Sequence, residues 1–256
     1  MTILAGLVAT DGVVIAADSQ MTDMDAHIRA STAEKLCCLG THIVWGLSGP
    51  VGIAQQVRPA LEIAYRAAWA QKAFPDLRDP IAQSIAATRK KIHQHQVVGD
   101  EPGVALLFAG MTGAANAMTP WLMEVPNNNV VQQHHIFCAV GSGAKAGYHA
   151  FESLRHYEPS QRGVALAKLF LYRIMDDATR AEFFGVGGAI HVWTITAGGF
   201  QKEPDAEMQG LAQMLTYWRE AERDSLKNLI APTAASPREF RLIAPTPDPI
   251  PPASRA

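Results

Sequence analysis

The sequence lacks any apolar run long enough to cross a membrane. Its longest runs, Ile3 to Ala9 and Val13 to Ala17, fall far short of the roughly 18 residues that a bilayer-spanning helix needs. An excess of basic charge is also missing, because 22 Lys and Arg residues face 24 Asp and Glu residues. We therefore expect no membrane insertion and no nucleic-acid partner, since no general positive field is available to neutralise phosphates.

Signals for metal ions, nucleotides and export are scarce as well. The three cysteines, Cys37, Cys38 and Cys138, show no C-x-x-C spacing and are odd in number, which predicts buried thiols in a reducing cytoplasm. Neither a G-x-G-x-x-G nor a Walker loop follows a strand. His93 and His95 face different sides of a presumed helix, and His134 and His135 alternate across a presumed strand. We expect no metal, no cofactor and, because residues 1–4 resemble no signal peptide, a cytoplasmic location.

The composition predicts one folded domain and a tail. The chain has 256 residues, 48% of them apolar, which is enough to bury a sizeable core. Residues 231–256 contain seven prolines and few large apolar side chains. We interpret residues 2–230 as a single domain and residues 231–256 as a disordered tail, with a docking arm for a partner as the alternative.

Apolar patterning places strands and helices in a definite order. Ile3 to Ala9 and Val13 to Ala17 flank an Asp-Gly turn, which is typical of a hairpin, and the polar stretch from Ser19 to Thr32 reads as a loop. The remaining predicted elements are strands at 35–39, 42–47, 104–110, 121–125, 130–140 and 187–196, and helices at 51–73, 80–96, 144–156, 160–177 and 205–229. Asp79 is the predicted N-cap of the second helix, with Pro80 at its first position.

This order indicates an α+β protein in which helices cover both outer faces of two stacked sheets. A doubly wound parallel sheet would need strict alternation of strands and helices, which is absent. Gly141-Ser142-Gly143 opens a helix and could bind an anion, although a simple turn explains it equally well.

The second residue points to a catalytic chemistry. If Met1 is removed, the α-amine of Thr2 lies beside its own hydroxyl group and can accept the hydroxyl proton, directly or through a water molecule. A lysine ammonium nearby would lower the pKa of the amine, and a carboxylate would hold that lysine. Asp18 and Lys35 lie at neighbouring strand ends and can supply these two groups.

These residues carry a resemblance to a known family. Thr2 to Gly6, Asp11 to Ser19, Lys35 and Leu47-Ser48-Gly49 resemble the opening of proteasome β-subunits and of HslV-type bacterial peptidases. Further along, Gly141-Ser142-Gly143 resembles the family's serine loop, and Asp176 and Thr179 match its Asp-x-x-Ser element with threonine in place of serine. Ile3 replaces a common second threonine, and about seven residues look inserted between Thr179 and Gly187.

The resemblance implies an αββα sandwich of the N-terminal nucleophile hydrolases, assembled into homo-oligomeric stacked rings that degrade unfolded proteins or peptides. It implies that Thr2 is the nucleophile, that Lys35 tunes it, that Asp18 orients Lys35, and that the Gly49 amide binds the oxyanion. Ser142, Asp176 and Thr179 would support the amine. The implied substrate-pocket positions are Ala33, Cys37, Leu47 and Val51, which favour an apolar residue before the cleaved bond.

The resemblance leaves other functions open. It allows an ATP-dependent unfoldase as a partner. A catalytically silent ring or scaffold subunit could use the same fold, and a small-molecule amidase could use the same nucleophile, because one fold hosts several functions.

Overall fold

Twelve strands and five α-helices are present in a computed structural model of the chain, which describes residues 2–23, 28–30, 34–69, 78–93, 104–114, 117–126, 131–181 and 186–230. The strands are β1 Leu4–Ala9, β2 Gly12–Asp18, β3 Met21–Asp23, β4 Ile28–Ala30, β5 Leu36–Leu39, β6 Ile43–Ser48, β7 Ala105–Ala114, β8 Ala117–Val125, β9 Gln132–His134, β10 Phe137–Val140, β11 Ile190–Thr196 and β12 Gly199–Lys202. The helices are α1 Val51–Trp69, α2 Arg78–His93, α3 Ala144–Leu154, α4 Val164–Arg180 and α5 Asp205–Ile230.

Two five-stranded antiparallel sheets form the centre of the fold. Sheet 1 has the strand order β10-β1-β2-β11-β12, and sheet 2 has the order β5-β6-β7-β8-β9. The β1–β2 hairpin pairs Leu4 with Ala17 and Ala9 with Gly12, so the Asp-Gly sequence makes the turn as predicted. Both faces of this hairpin are buried, in keeping with its apolar sequence.

The two sheets pack face to face, with helices outside each. Leu4, Val13 and Ile15 of sheet 1 pack against Leu107 and Leu122 of sheet 2. A second apolar cluster lies on the other face of sheet 2, beneath α1 and α2, while α3 and α4 contact sheet 1. The expected αββα arrangement of an α+β protein is therefore confirmed.

The chain divides into two compact units, Met1–Thr216 and Tyr217–Ala256, with the boundary inside α5. The first unit contains both large sheets. In the second unit the structure describes residues 217–230, whose side chains through residue 229 are exposed or half-buried. The proline-rich segment 231–256 lies outside the described residues.

Several local predictions were wrong. The stretch 19–32 contains the short hairpin β3–β4, and the single strand predicted at 130–140 is two strands, β9 in sheet 2 and β10 in sheet 1. Helix α2 starts at Arg78, so Asp79 lies within its first turn and is not the N-cap. Helix α4 begins only after Gly163, because residues 159–161 form a separate 3₁₀ turn.

The cysteines are free thiols in three different environments. Cys138 is buried, Cys37 is half-buried and Cys38 is exposed, so the expectation that all three are buried was wrong. Cys38 follows Cys37 on β5 and therefore points to the opposite side of the strand. No helix among the described residues has the length and hydropathy to cross a membrane.

Candidate active site

Thr2 lies just before β1 and is held by the turn that precedes α3. Its side chain and backbone are almost fully buried. The Thr2 nitrogen donates a hydrogen bond to Ser142 Oγ at 3.3 Å, and the Thr2 carbonyl accepts one from the Gly143 amide at 3.3 Å and one from Ser142 Oγ at 3.4 Å. Ser142 thus contacts the atom that would become the α-amine if Met1 were removed.

The Asp18 carboxylate joins three segments of the chain beside Thr2. It is fully buried at the end of β2. Its Oδ1 accepts hydrogen bonds from the Ile3 amide at 2.9 Å and from Lys35 Nζ at 2.7 Å, and its Oδ2 accepts one from the Gly187 amide at 3.1 Å. A buried carboxylate is stable as an ion only with such donors, and one of them belongs to the residue next to Thr2.

Lys35 is an ammonium group with little water around it. Only 8% of its side chain is exposed. Burial lowers the pKa of Lys35 below the usual lysine value, while the charge and hydrogen bond of Asp18 act in the opposite direction without cancelling the effect. Lys35 is thus an electrostatic neighbour whose proton is held less tightly than that of a surface lysine.

Gly49 follows β6, two residues before α1, with a φ of 142°. A contact of the neighbouring residue, Ser48, shows that the turn at Ser48-Gly49 lies near Thr2. A side-chain carbon added to Gly141, whose φ is 95°, would overlap the Thr2 carbonyl oxygen and would lie 2.8 Å from Ser48 Oγ. The Ser48-Gly49 corner and the turn at Gly141 therefore meet at the backbone of Thr2.

The hydrogen bonds described for Asp176 and Thr179 are local to α4. Thr179 Oγ1 donates to the Asp176 carbonyl at 2.9 Å, and Arg180 Nε donates to Asp176 Oδ2 at 2.6 Å. These contacts do not join either residue to Thr2, Asp18 or Lys35. The sequence-based assignment of both residues to the site remains a prediction.

Two of the four predicted pocket positions border one apolar cluster. Leu47 is a member of the cluster beneath α1 and α2, and half-buried Cys37 packs against it. Burial raises the pKa of Cys37 above the usual thiol value, although the nearby Arg58 opposes the shift. Val51 is the first residue of α1, and Ala33 lies outside the described residues.

Sequence reasoning missed part of this arrangement. It named Gly187 as the end of an apparent insertion and the start of a predicted strand, and it assigned Gly187 no contact. In the structure the Gly187 amide donates to Asp18, and the Gly187 carbonyl accepts a hydrogen bond from the Gln20 amide at 2.9 Å. Gly187 has a φ of 156°, and a side-chain carbon added to it would lie 2.6 Å from Gln20 Oε1. The glycines were the signal available in the sequence, because close approach of two backbones requires them.

Among the described residues, one group of side chains could hold a metal ion, and it does not include the residues around Thr2. Glu124, His134 and Cys138 place one ligand atom each within 4.8 Å of one another. They lie at the edge formed by β8, β9 and β10.

Comparison with protein families decides the identity of the fold. The family model described as Proteasome subunit matches residues 2–187, which is most of the chain. The chain belongs to the proteasome subunit family. A search of curated proteins found no match.

Membership of the proteasome subunit family agrees with the architecture and with the segments that carry the site. The match covers residues 2–187, a range that includes Asp18, Lys35 and the Ile3 and Gly187 amides that donate to Asp18. Subunits of this family are generally threonine peptidases of the N-terminal nucleophile type, and they assemble into stacked rings.

Proposed function

We propose that this chain is a threonine endopeptidase whose nucleophile is the Thr2 hydroxyl group once Met1 has been removed. The observation that carries the proposal is the buried Asp18 carboxylate, which bonds both Lys35 Nζ at 2.7 Å and the amide next to Thr2 at 2.9 Å. Through Asp18, the positive charge of Lys35 is held close to the first residues of β1. An Asp–Lys ion pair beside an N-terminal threonine can help to activate the threonine hydroxyl group.

The proposed reaction divides into acyl transfer and hydrolysis. Thr2 Oγ1 attacks the substrate carbonyl carbon while its proton passes to the α-amine, directly or through a water molecule, and then to the leaving amine. The Gly49 amide donates to the tetrahedral oxyanion, which collapses to an ester on Thr2. A water molecule then hydrolyses the ester by the same proton route in reverse.

Lys35 and Ser142 support this reaction in different ways. The Lys35 ammonium favours the unprotonated α-amine and stabilises negative charge on the hydroxyl oxygen. Ser142 Oγ is 3.3 Å from the Thr2 nitrogen and can relay its proton. Asp176 and Thr179 belong to the proposal as supporting residues, but we assign no step to them because their described hydrogen bonds stay within α4.

The proposed substrates are unfolded proteins or peptides that enter a chamber of homo-oligomeric stacked rings in the cytoplasm. Cys37, Leu47, Val51 and Ala33 favour an apolar residue before the cleaved bond, and an ATP-dependent unfoldase would deliver folded substrates. Residues 2–230 serve as the peptidase domain in this proposal, and residues 231–256 are a tail outside it.

The test compares three forms of the purified full-length chain. We expect an intact mass that lacks Met1, cleavage of a fluorogenic peptide with an apolar residue before the reporter, and labelling of Thr2 by a threonine-directed electrophile. Thr2→Ala should abolish cleavage and labelling, whereas Thr2→Ser should retain part of both because it keeps a hydroxyl group. Native mass measurement on all three forms reports whether assembly is intact.

Two outcomes would favour the other candidates. Retained Met1 with an assembled but unlabelled protein would indicate a silent ring subunit. Thr2-dependent cleavage of simple amides but not of peptides would indicate a small-molecule amidase. Full peptidase activity in Thr2→Ala would eliminate the proposed nucleophile altogether.

A further inference from the structure

Three potential metal ligands converge where the chain passes from sheet 2 to sheet 1. His134 ends β9 in sheet 2, and Cys138 lies in β10 of sheet 1, four residues later. Glu124 reaches them from β8, the strand that pairs with β9. The group thus combines an imidazole, a thiol and a carboxylate at the edge of both sheets.

Two of the three distances between these ligand atoms match those around a tetrahedral zinc ion. His134 Nε2 lies 3.3 Å from Glu124 Oε2, and Cys138 Sγ lies 3.5 Å from the same oxygen. Zinc bonds of about 2.0–2.2 Å to nitrogen or oxygen and about 2.3 Å to sulfur, at tetrahedral angles, separate ligand atoms by about 3.4–3.6 Å. The nitrogen and the sulfur lie within 4.8 Å of each other, so binding needs a closing movement of at most about 1.2 Å.

From this geometry we propose that Glu124, His134 and Cys138 bind one Zn²⁺ ion. A thiolate and an imidazole select zinc over magnesium or calcium, which prefer oxygen ligands alone. On binding, the Cys138 S–H bond breaks, sulfur donates an electron pair to the ion, and the proton leaves to solvent. His134 binds as the neutral ring through Nε2, and Glu124 binds through Oε2.

The surroundings of the three ligands suit such a site. Tyr148, on α3, lies near Cys138, where its hydroxyl group could make the kind of outer contact that steadies a metal-bound thiolate. His134 and Tyr148 also line a cavity of about 310 Å³. The side chains of His134 and Glu124 are 21% and 19% exposed, so solvent reaches two of the three ligands and a water molecule can serve as the fourth.

The expected role of the ion is to fasten the two sheets together. Strand β9 has only three residues at the edge of sheet 2, and β10 is the edge strand of sheet 1. A zinc ion held by both strands and by β8 would close this edge by bonds stronger than the hydrogen bonds that it replaces. Zinc should therefore raise the thermal unfolding temperature of the whole chain.

The experiment measures zinc binding to tag-free, full-length protein after removal of metals with a chelator. We expect one Zn²⁺ per chain by equilibrium dialysis and elemental analysis, no binding of Mg²⁺ under the same conditions, and a higher unfolding temperature with zinc. Co²⁺ should produce the near-ultraviolet charge-transfer band of a cysteine thiolate ligand.

Matched variants locate the site. His134→Gln and Glu124→Gln should weaken zinc binding by about tenfold or more, and Cys138→Ser should remove the cobalt charge-transfer band. His135→Gln and Cys38→Ser, which change residues of the same types outside the group of three ligands, should bind zinc like the parent protein. Thr2→Ala should also bind normally, which separates this site from the proposed nucleophile.

The proposal is overturned if the parent protein takes up no zinc, or if His134→Gln binds it as tightly as the parent does. If the Cys138→Ser variant fails to fold, the zinc affinities of His134→Gln and Glu124→Gln decide the question, because these two positions are partly exposed. Equal zinc-induced stabilisation of the parent and His134→Gln would also contradict it.

Discussion

Asp18 is the residue on which the electrostatics of the candidate site depend. Its carboxylate accepts hydrogen bonds from Lys35, Ile3 and Gly187 and has no exposure to water. The pKa of Lys35 is lowered by burial, and Asp18 limits the size of that shift. Burial and Asp18 therefore act together, in opposite directions, on the pH above which Lys35 loses its charge.

Replacing Asp18 by Asn should shift the activity profile with pH. The substitution removes the charge that raises the pKa of Lys35 and leaves the burial that lowers it, so this pKa should fall further. Because neutral Lys35 no longer assists Thr2, the alkaline limb of kcat/KM should move to lower pH, and the maximum should fall by about 100-fold or more. Peptide cleavage measured from acidic to alkaline pH checks this.

A control separates charge from structural damage. Because Lys35 then stays buried without its anion, Asp18→Asn should also lose stability, so activity is measured at a temperature at which the variant is shown to be folded. An alkaline limb that stays where it is in the parent protein, in a folded variant, would show that the Asp18–Lys35 pair does not control the reaction.

Gly141 is a second residue with a specific local effect. Its φ of 95° favours glycine, and a methyl group there would overlap the Thr2 carbonyl oxygen. We expect Gly141→Ala to displace Thr2, reduce labelling of its hydroxyl group by an electrophile, and destabilise the fold by about 1–3 kcal/mol.

Gly210→Ala is the matched control for this prediction. Gly210 lies within α5, and nothing lies within 4 Å of the position of an added side-chain carbon. This variant should be stabilised by up to about 1 kcal/mol because alanine is the better helix former. Denaturant unfolding and electrophile labelling of both variants give the comparison, and normal labelling of Gly141→Ala would contradict the prediction.

At the level of secondary structure, a buried ionic group connects α4 with β11 and the start of α5. Glu203 is 5% exposed and accepts hydrogen bonds from Thr194 Oγ1 at 2.8 Å and Lys168 Nζ at 3.2 Å. Lys168 also donates to Glu207 at 2.8 Å. Burial opposes charge on Lys168, but the bonds to Glu207 and Glu203 raise its pKa above the usual lysine value.

Lys168→Met should destabilise the protein by about 1–3 kcal/mol, because Glu203 then keeps a buried charge without its cation. Adding Glu203→Gln should recover part of the loss, since the uncompensated charge disappears. Lys202→Met is the control, because the Lys202–Glu34 ion pair is half exposed and should contribute less than about 1 kcal/mol. If denaturant unfolding showed equal losses of stability for Lys168→Met and Lys202→Met, the argument would be refuted.

The strongly patterned elements were predictable from sequence, and the weakly patterned ones were not. Continuous apolar runs around Asp11-Gly12 indicated the β1–β2 hairpin, and three-to-four spacing of apolar residues indicated α1. Strands of three or four residues, such as β3, β4 and β12, are too short to show alternation. The stretch 130–140 is one pattern in sequence, but sequence periodicity cannot reveal that its two halves pair with different sheets.

The candidate site was predictable to the extent that chemistry required particular residue types. Thr2, Asp18, Lys35 and Ser142 were inferred as one group, and the structure brings Asp18 and Lys35 together and Thr2 against Ser142. The contact of Gly187 with Asp18 could not be derived, because it joins positions 169 residues apart. The same limit applies to Glu124 and Cys138, whose convergence with His134 depends on how the two sheets are stacked.

At the scale of the whole molecule, the candidate site depends on the stacking of the two sheets. Asp18 ends a strand of sheet 1, while Lys35 and Ser48 border strands of sheet 2. Their relative position is therefore set by the apolar layer between the sheets. Gly6 of β1 lies in this layer, where an added side-chain carbon would overlap Leu122 of β8.

Gly6→Ala should push the sheets apart, lowering both the free energy of unfolding, by about 1–3 kcal/mol, and kcat/KM. Leu122→Ala alone should lower the free energy of unfolding by about 2–5 kcal/mol because it creates a cavity. It should leave the relative position of the site residues in the two sheets unchanged. In the double variant the new methyl group occupies space that Leu122 vacated, so the combined loss should be smaller than the sum of the two single losses. Strictly additive losses, with activity unaffected in Gly6→Ala, would mean that the spacing between the sheets does not control the site.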